Sequence, residues 1–185
     1  MQGWAPDNLL DTYQQERSPV AQWVLGYSRA QLALLRPGRD VTALRSLLAG
    51  VLEGPEANKY LAELVTGIGI RYALADDGED VPDVVGTMLG DLVVKDGAQE
   101  TTLTRALHTG KGVLLDFTAT AEAAKAAQPW SERVRTLSGT GTGTPGAEVL
   151  LVRPDGYVAW AGRAAAAAST GEGSLRLALS RWFGD

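Results

Sequence analysis

Apolar residues follow two different spacings along this chain, helical in the first third and strand-like in much of the second half. After Asp7, which can cap a helix, apolar side chains recur at steps of three and four residues as far as Ser18. Because proline suits the first position of a helix, Pro19 predicts that a second, longer helix begins here and runs to Pro37-Gly38. Its apolar residues are not confined to a narrow stripe, so we expect it to pack against more than one neighbour.

The helical spacing continues for two further elements. Asp40 can cap a third helix, and Gly54-Pro55 ends that helix before a fourth one over Glu56–Val65. The following stretch is broken by glycine, proline and a run of acidic residues, which is typical of a linker. The predicted organisation is a helical segment at residues 1–66, a linker at 67–90 and a second domain at 91–185.

The second domain contains strand-like runs joined by turns. Leu92–Val94 and Gln99–Leu103 flank a Lys-Asp-Gly turn and predict a short hairpin, and Gly112–Phe117 predicts a central buried strand. Another hairpin is predicted over Ala147–Gly162, where the turn Arg153-Pro-Asp-Gly156 supplies the residues that a tight reversal requires. Val-Leu-Leu-Val before this turn is apolar on both faces, as expected of a strand covered by helices on each side.

Short helices are predicted between these strands. They lie at Thr104–His108, at Ser131–Leu137 with Trp130 before it, and at Ser174–Phe183, while Gly139–Gly146 is predicted to be a loop. The expected fold class is therefore α/β, with a helical N-terminal segment followed by a layered α/β domain.

Composition and charge restrict the possible functions. The 185 residues have a net charge of −5 and a sequence pI near 4.9. Lys and Arg are scattered, so we expect neither a nucleic acid nor a membrane as partner. The lack of cysteine excludes thiolate metal sites and dithiol chemistry by this sequence. No apolar run approaches the roughly 20 residues of a membrane helix, no signal-peptide pattern is present, and a cytoplasmic location is the default expectation.

Two stretches could be taken for ligand sites. Gly141-Thr-Gly-Thr-Pro-Gly146 has the spacing of a dinucleotide-binding turn, but a strand rather than a helix is predicted to follow it, which favours a simple loop. The acidic run Asp76–Asp80 lacks the alternating spacing of a calcium loop, which favours a solvated linker.

Single titratable residues also have structural explanations. His108 is the only histidine, and the end of a short helix is a favourable place for an imidazolium. Asp116 lies within the predicted buried strand Gly112–Phe117 and is interpreted as a hydrogen-bonded structural acid. Glu16 and Arg17 are adjacent on a helix and therefore point in different directions, which favours ion pairs with other segments over a shared catalytic role.

The order of strands and helices in the second domain resembles the thioredoxin fold. Leu115-Asp-Phe-Thr-Ala119 is similar to the thioredoxin segment between the central strand and the redox loop, with Asp116 at the position of that family's buried acid. The redox cysteines should follow, but Thr118–Ala127 contains none. The resemblance implies a thioredoxin-like domain without redox chemistry.

A second resemblance extends over nearly the whole chain. Leu10-Asp11, Tyr13, Glu16-Arg17 and Pro19 resemble the segment after the last flavin-contacting motif of class A flavin-dependent monooxygenases. Arg29-Ala-Gln31 and Val152–Trp160 are similar to the aromatic polyketide hydroxylases of that class, whose C-terminal domain is thioredoxin-like. For this family the resemblance implies FAD and NADPH as cofactors.

The flavin-binding motifs of that family are missing from this sequence, so we expect no cofactor to be bound by this chain alone. Three functions remain open. The chain is a non-catalytic C-terminal part or accessory relative that serves assembly or substrate handling, a subunit of a split hydroxylase completed by another chain, or a separate binder of a polycyclic aromatic polyketide.

The resemblance also implies an interface on the N-terminal helices. In the complete family this segment would pack against the flavin domain, so a chain without that domain should expose apolar surface. The expected interface residues are aromatic: Trp4, Tyr13, Trp23 and Tyr27. The expected partner is a second copy of the chain or a separate flavoprotein chain.

Overall fold

The computed structural model describes residues 9–74, 81–96, 99–118, 120–141, 146–163 and 174–185. These residues form two compact units, a helical unit at Leu10–Ile70 and a sheet unit from Arg71 to Asp185. The predicted fold class, α/β with a helical N-terminal segment, is confirmed.

The first helix of the helical unit, α1, is continuous over Leu9–Leu35 and contains Pro19 in its interior. The prediction of a new helix starting at Pro19 is therefore wrong. Proline removes one backbone donor and disfavours a helix interior, but it does not force a break. Glu16, Val20 and Tyr27 are all at least partly buried and lie four and seven residues apart, so a single helix keeps residues from both sides of the proline on one face.

The next two helices, α2 over Arg39–Leu52 and α3 over Pro55–Thr66, agree with the predicted third and fourth helices. Asp40 does not cap α2. It lies in the first turn, where a carboxylate favours the positive end of the helix dipole, and Gly38 occupies the N-cap position. Arg45 ties α2 to α1, because its Nη1 atom donates to the backbone oxygen of Leu34 at 2.7 Å near the C-terminal end of α1.

Strands β1 (Val93–Asp96) and β2 (Gln99–Thr102) form the predicted first hairpin, which continues into helix α4 at Leu103–Leu107. A two-residue strand, β5 (Thr140–Gly141), pairs with the other edge of β1. The order of this small antiparallel sheet is β2-β1-β5. Part of the predicted loop at 139–146 is thus a strand, and residues 142–145 lie outside the described residues.

The larger sheet contains four strands: β3 (Gly112–Asp116), β4 (Val134–Ser138), β6 (Val149–Val152) and β7 (Val158–Gly162). Their order is β4-β3-β6-β7, with β3 and β4 parallel and the other pairs antiparallel. Helix α5 (Glu122–Ala127) lies between β3 and β4 in the sequence, and α6 (Leu175–Phe183) follows the β6–β7 hairpin and packs on α5 and β7. This is the thioredoxin-like arrangement predicted from the sequence.

One predicted helix, Ser131–Leu137, is wrong. A short 3₁₀ turn ends at Trp130, and Val134–Ser138 is strand β4, paired in parallel with β3 over its whole length. Trp130, Val134 and Leu137 are spaced by four and three residues and are all buried, so they imitate one face of a helix. The fully buried strand β3 offers a hydrogen-bonding edge, and this tertiary pairing overrides the local spacing.

The predicted linker contains ordered residues that extend the larger sheet. The Gly86 amide donates to the Val158 oxygen, the Val158 amide to the Thr87 oxygen, and the Tyr72 amide to the Gly86 oxygen, at 2.8 to 2.9 Å. Gly86 has φ +82°, and a Cβ atom there would lie 1.9 Å from the Tyr72 oxygen, so only glycine fits. The segment around Gly86 thus covers the edge of β7, and Arg71 and Tyr72 pair with the outer side of that segment.

Candidate functional site

A row of large apolar side chains is exposed along one side of α1, which we call the α1 face. Its residues are Leu10, Tyr13, Val24, Leu25, Leu32 and Leu35. Leu10 and Leu35, near the two ends, are 77% and 76% exposed. A helix of 27 residues spans about 40 Å, so the face is long enough for an extended contact. Large exposed apolar patches are typical of interaction sites, so the α1 face is a candidate for one.

The predicted interface residues occupy different parts of α1. Tyr13 is 66% exposed and lies under the Arg17 guanidinium, whose carbon is 5.9 Å from the ring centroid. Trp23 is 39% exposed and stacks on the partly buried Tyr27, with ring centroids 5.9 Å apart and an interplanar angle of 6°. The structure therefore brings Trp23 and Tyr27 together and leaves Tyr13 in a separate position. Trp4 lies outside the described residues.

Sequence reasoning did not assign a second apolar row, which we call the α2 face. It consists of Leu44, Leu47, Leu48 and Val51 on α2. The spacing i, i+3, i+4 and i+7 was visible in the sequence and is typical of a helix side that faces a core. Leu47 is nevertheless 67% exposed, and none of the described residues of α2 or α3 is buried. Periodicity shows which side is apolar but not what covers it.

The buried acid Asp116 has a structural role. It is fully buried at the end of β3, and its Oδ1 atom accepts hydrogen bonds from the Thr118 amide at 3.0 Å and from the Thr118 hydroxyl at 2.6 Å. Its Oδ2 atom accepts from the Ala124 amide of α5 at 3.3 Å. The carboxylate fixes the connection between β3 and α5 at the place where a thioredoxin would carry its cysteines. This agrees with the sequence interpretation of a satisfied acid.

Asp91 is a second acid that stabilises local structure. Its Oδ1 atom accepts a hydrogen bond from the Thr104 amide at 3.0 Å in the first turn of α4. Hydrogen bonds from the Thr104 backbone and side chain lower the pKa of Asp91 below its ordinary value of 3.8. The Thr102 hydroxyl accepts from the Arg105 amide, so two side chains together cap a short helix.

The titratable residues that the structure describes, His108 among them, do not form a metal-binding cluster of three or more side chains. His108 is exposed and directly follows α4, as the sequence suggested. Within the described ranges, no group of three or more His, Asp or Glu side chains could hold a metal ion. No helix in the described parts of the chain is long and apolar enough to span a membrane. The acidic run Asp76–Asp80 lies outside the described residues.

The glycine motif at 141–146 lacks the setting of a dinucleotide site. Gly141 ends strand β5, and Gly146 stands shortly before strand β6. A pyrophosphate requires a glycine turn that leads into a helix, whose free amides bind the phosphate oxygens. The residues present therefore do not fit the pyrophosphate of a flavin or nicotinamide dinucleotide in that way.

The turn Arg153-Pro-Asp-Gly156 joins several parts of the sheet unit. The Gly156 amide donates to the Arg153 oxygen at 2.9 Å, and Gly156 has φ +88°, as the predicted turn requires. The Arg153 guanidinium bonds to Asp155 and lies 4.7 Å from the Trp182 ring centroid and 6.0 Å from that of Tyr72. Through Arg153, the turn thus connects the β6–β7 hairpin to α6 and to the segment that contains Tyr72.

A shallow groove of about 620 Å³ lies on the sheet unit. It is lined by Pro82, Asp83, Val84, Thr87, Leu89 and Gly146. The lining contains no aromatic side chain and a single carboxylate, that of Asp83. Asp83 lies 3.8 Å from Arg71 and is fully exposed, so the groove presents no convergent set of polar groups.

The profile of one protein family, described as "Aromatic-ring hydroxylase, C-terminal", matches residues 83–185, which is more than half of the chain. The chain belongs to this family. The aromatic-ring hydroxylase C-terminal domain thus includes both sheets and the Arg153 turn, and the family resemblance noted in the sequence is confirmed.

Relatives of this aromatic-ring hydroxylase C-terminal domain include enzymes with different names. The 12-dehydrotetracycline 5-monooxygenase/anhydrotetracycline 6-monooxygenase of Streptomyces rimosus is 39% identical over 98% of this chain and 36% of its own length. The dialkyldecalin synthase of Streptomyces rugosporus is 36% identical over 100% of this chain and 34% of its own length.

Solved structures are also similar to this chain over about a third of their own length. The anhydrotetracycline hydroxylase OxyS from Streptomyces rimosus has a TM-score of 0.83 and 36% identity, covering 99% of this chain and 37% of OxyS. The rebeccamycin biosynthetic enzyme RebC with reduced flavin has a TM-score of 0.57 and 25% identity, covering 87% of this chain and 34% of RebC. The chain therefore spans just over a third of the length of these proteins.

Proposed function

We propose that this chain is a non-catalytic part of a flavin-dependent aromatic polyketide monooxygenase and that it serves the assembly of that enzyme. The observation that supports this most directly is the pair of relatives with similar identity, a monooxygenase at 39% and a dialkyldecalin synthase at 36%. Each relative contains nearly the whole of this chain, although their names describe different reactions. A region retained by enzymes with different reactions is expected to supply structure rather than reacting groups.

The polar residues of the sheet unit support a structural role. Asp116 holds the start of α5, Asp91 caps α4, and Arg153 joins the hairpin turn to α6. General acid–base catalysis requires a titratable side chain that is free to reach a substrate. These three side chains are instead engaged in contacts within the fold.

In this proposal FAD and NADPH are bound outside this chain. The flavin would supply the activated oxygen, and RebC, one of the structures that this chain resembles, was solved with reduced flavin. The glycine motif at 141–146 does not fit a dinucleotide, because a strand follows it. The contribution of this chain is then to hold the flavin-binding part in place, and Tyr13, Trp23 and Tyr27 on α1 are the proposed contact residues.

The proposal is tested by purifying the chain alone and the complete Streptomyces rimosus monooxygenase as a positive control. The chain should be colourless, should not alter the visible spectrum of added FAD, and should not oxidise NADPH with an aromatic polyketide present. The control should be yellow, should change the visible spectrum of added FAD and should oxidise NADPH when the substrate is present. Oxygen insertion into the aromatic substrate by the isolated chain would contradict the proposal.

A further inference from the structure

Met88 is an exposed methionine beside the Arg153–Gly156 turn. The chain contains two methionines and no cysteine, and the other methionine, Met1, lies outside the described residues. Met88 therefore carries the only sulfur atom in the described part of the chain, and it is 41% exposed. Because a thioether that water can reach is also accessible to small oxidants, Met88 is the position at which this part of the chain can be oxidised at sulfur.

Met88 belongs to the segment around Gly86 that covers the edge of β7. It stands directly opposite Tyr157 in an antiparallel bridge. Backbone hydrogen bonds flank this pair on both sides, donated by the amides of Leu89 and Val158 at 3.0 and 2.9 Å. Directly opposed residues of antiparallel strands project their side chains from the same face, with Cβ atoms about 5 Å apart. The side chain of Met88 therefore lies beside that of Tyr157.

Tyr157 belongs to a buried aromatic cluster. It is 5% exposed, its ring centroid lies 4.4 Å from that of Tyr72, and the Arg153 guanidinium lies 6.0 Å from the Tyr72 centroid. A Cβ atom on Gly156 would lie 3.8 Å from the Cγ atom of Met88, which places the Met88 side chain against the turn. An apolar thioether in this position shields the cluster from water and makes favourable contacts with an aromatic ring.

We propose that Met88 is a site of reversible oxidation by peroxides and that its oxidation weakens the pairing of this segment with β7. The sulfur attacks one oxygen of the peroxide, so that an S–O bond forms as the O–O bond breaks. The other oxygen takes the proton and leaves as water or an alcohol. Sulfur loses two electrons and the peroxide gains them. Methionine sulfoxide reductases reverse this oxidation. The inference does not depend on the proposed function.

The sulfoxide weakens the pairing because it replaces an apolar contact with a polar group. A polar oxygen without a hydrogen-bond partner is unfavourable beside a buried ring, so the oxidised side chain turns towards water and no longer shields Tyr157. The flanking hydrogen bonds of Leu89 and Val158 should then open more often.

The experiment treats the full chain with hydrogen peroxide and locates added oxygen by peptide mass spectrometry. One matched variant is Met88→Leu, which keeps an apolar side chain without sulfur. The other combines Met88→Leu with Leu177→Met, which introduces a methionine at a position on α6 that is 51% exposed. Thermal unfolding and amide hydrogen exchange are measured before and after treatment. Met1 is present in all three proteins, so its oxidation cancels in the comparison.

We expect the native chain to gain one oxygen at Met88 and its unfolding temperature to fall by about 4 °C. Exchange of the Leu89 and Val158 amides should become several-fold faster, and a methionine sulfoxide reductase should reverse both changes. Peroxide should leave the unfolding of Met88→Leu unchanged. The variant with Leu177→Met should gain an oxygen at that position without a change in unfolding temperature, because an exposed position contributes little to stability.

Three results would overturn this inference. Met88 could stay unmodified under conditions that oxidise the methionine introduced by Leu177→Met. Oxidation of Met88 could leave the unfolding temperature and the hydrogen exchange unchanged. Peroxide could also destabilise Met88→Leu as much as the native chain, in which case the sensitive residue lies elsewhere. Each result leaves the proposed function intact, since none of these measurements involves FAD or NADPH.

Discussion

At the scale of single residues, Arg153 shows why the turn motif near the end of the chain has this composition. Its guanidinium bonds to Asp155 within the turn and lies 4.7 Å from the Trp182 ring centroid. Planar guanidinium groups can stack on a ring and bond to a carboxylate at the same time, which an ammonium group cannot do. The motif is therefore explained by packing of the hairpin against α6.

Replacement of Arg153 should test this explanation. Arg153→Ala should lower the free energy of unfolding by about 2 kcal/mol, because the ring contact and the bonds to Asp155 are lost together. Arg153→Lys should recover only part of this loss. Urea unfolding followed by tryptophan fluorescence provides the measurement, and an alanine variant as stable as the native chain would contradict the role of Arg153.

Asp91 should make stability depend on acidity. Its folded-state pKa is lowered by hydrogen bonds from Thr104, so its contribution is complete above the unfolded-state pKa and is lost as the pH falls through the folded-state pKa. The native chain should therefore be more stable than Asp91→Ala near neutral pH, and the difference should shrink as the pH falls below the ordinary carboxyl pKa of 3.8. Urea unfolding of the two proteins at neutral and at acidic pH measures this difference in stability. A difference that grows on acidification would contradict the stabilising role of Asp91.

At the scale of elements, α1 shows how a helix can continue through a residue that usually begins or ends one. Pro19 lies inside a helix of 27 residues, although a proline in a helix interior costs about 3 kcal/mol. Partly buried residues on both sides of Pro19 share one face, and their packing is lost if the helix breaks. Strand β4 is the corresponding case in the sheet unit, since pairing with β3 overrides a helix-like spacing.

If α1 is continuous through Pro19, alanine at this position should stabilise it. We expect Pro19→Ala to raise the free energy of unfolding of the helical unit by up to about 3 kcal/mol. Far-ultraviolet circular dichroism during urea unfolding gives the measurement, and Gln22→Ala at an exposed position of the same helix is the control. Destabilisation by Pro19→Ala would favour two helices with Pro19 at the start of the second.

At the scale of the whole molecule, the two units differ in how much core they contain. The sheet unit buries three consecutive strand residues of β3, Val113, Leu114 and Leu115, and all of β6. In the helical unit, no described residue of α2 or α3 is buried. Since burial of apolar side chains is the main source of stability, the two units should differ strongly in their ability to fold alone.

Fragments of the chain should show this difference. A fragment of residues 71–185 should unfold cooperatively, whereas residues 10–70 should be mostly unfolded in isolation. A fragment of residues 91–185, which begins at the end of the predicted linker, should be less stable than 71–185 because it loses buried Tyr72, Val84 and Val85. Calorimetry of the three fragments measures their thermal stability. Equal stability of fragments 71–185 and 91–185 would show that residues 71–90 do not stabilise the sheet unit.

The sequence alone determined the elements whose signals are local. The turn at Arg153–Gly156, the hairpin at β1 and β2, the buried strand β3 and the helices α2, α3 and α6 all follow from turn residues, caps and apolar spacing within a few positions. The family was also apparent from motifs near both ends of the chain. For the candidate site, the family resemblance predicted an interface at the aromatic residues Trp4, Tyr13, Trp23 and Tyr27, and this stays a prediction.

The tertiary structure decided what depends on contacts between distant residues. The strand at Val134–Ser138 pairs with β3, and Gly86 lies beside Val158, so both depend on partners far away in the sequence. Exposure of the α2 face likewise depends on tertiary structure. A row of apolar residues has the same spacing whether it is buried or exposed, and only the positions of the surrounding chain distinguish the two cases.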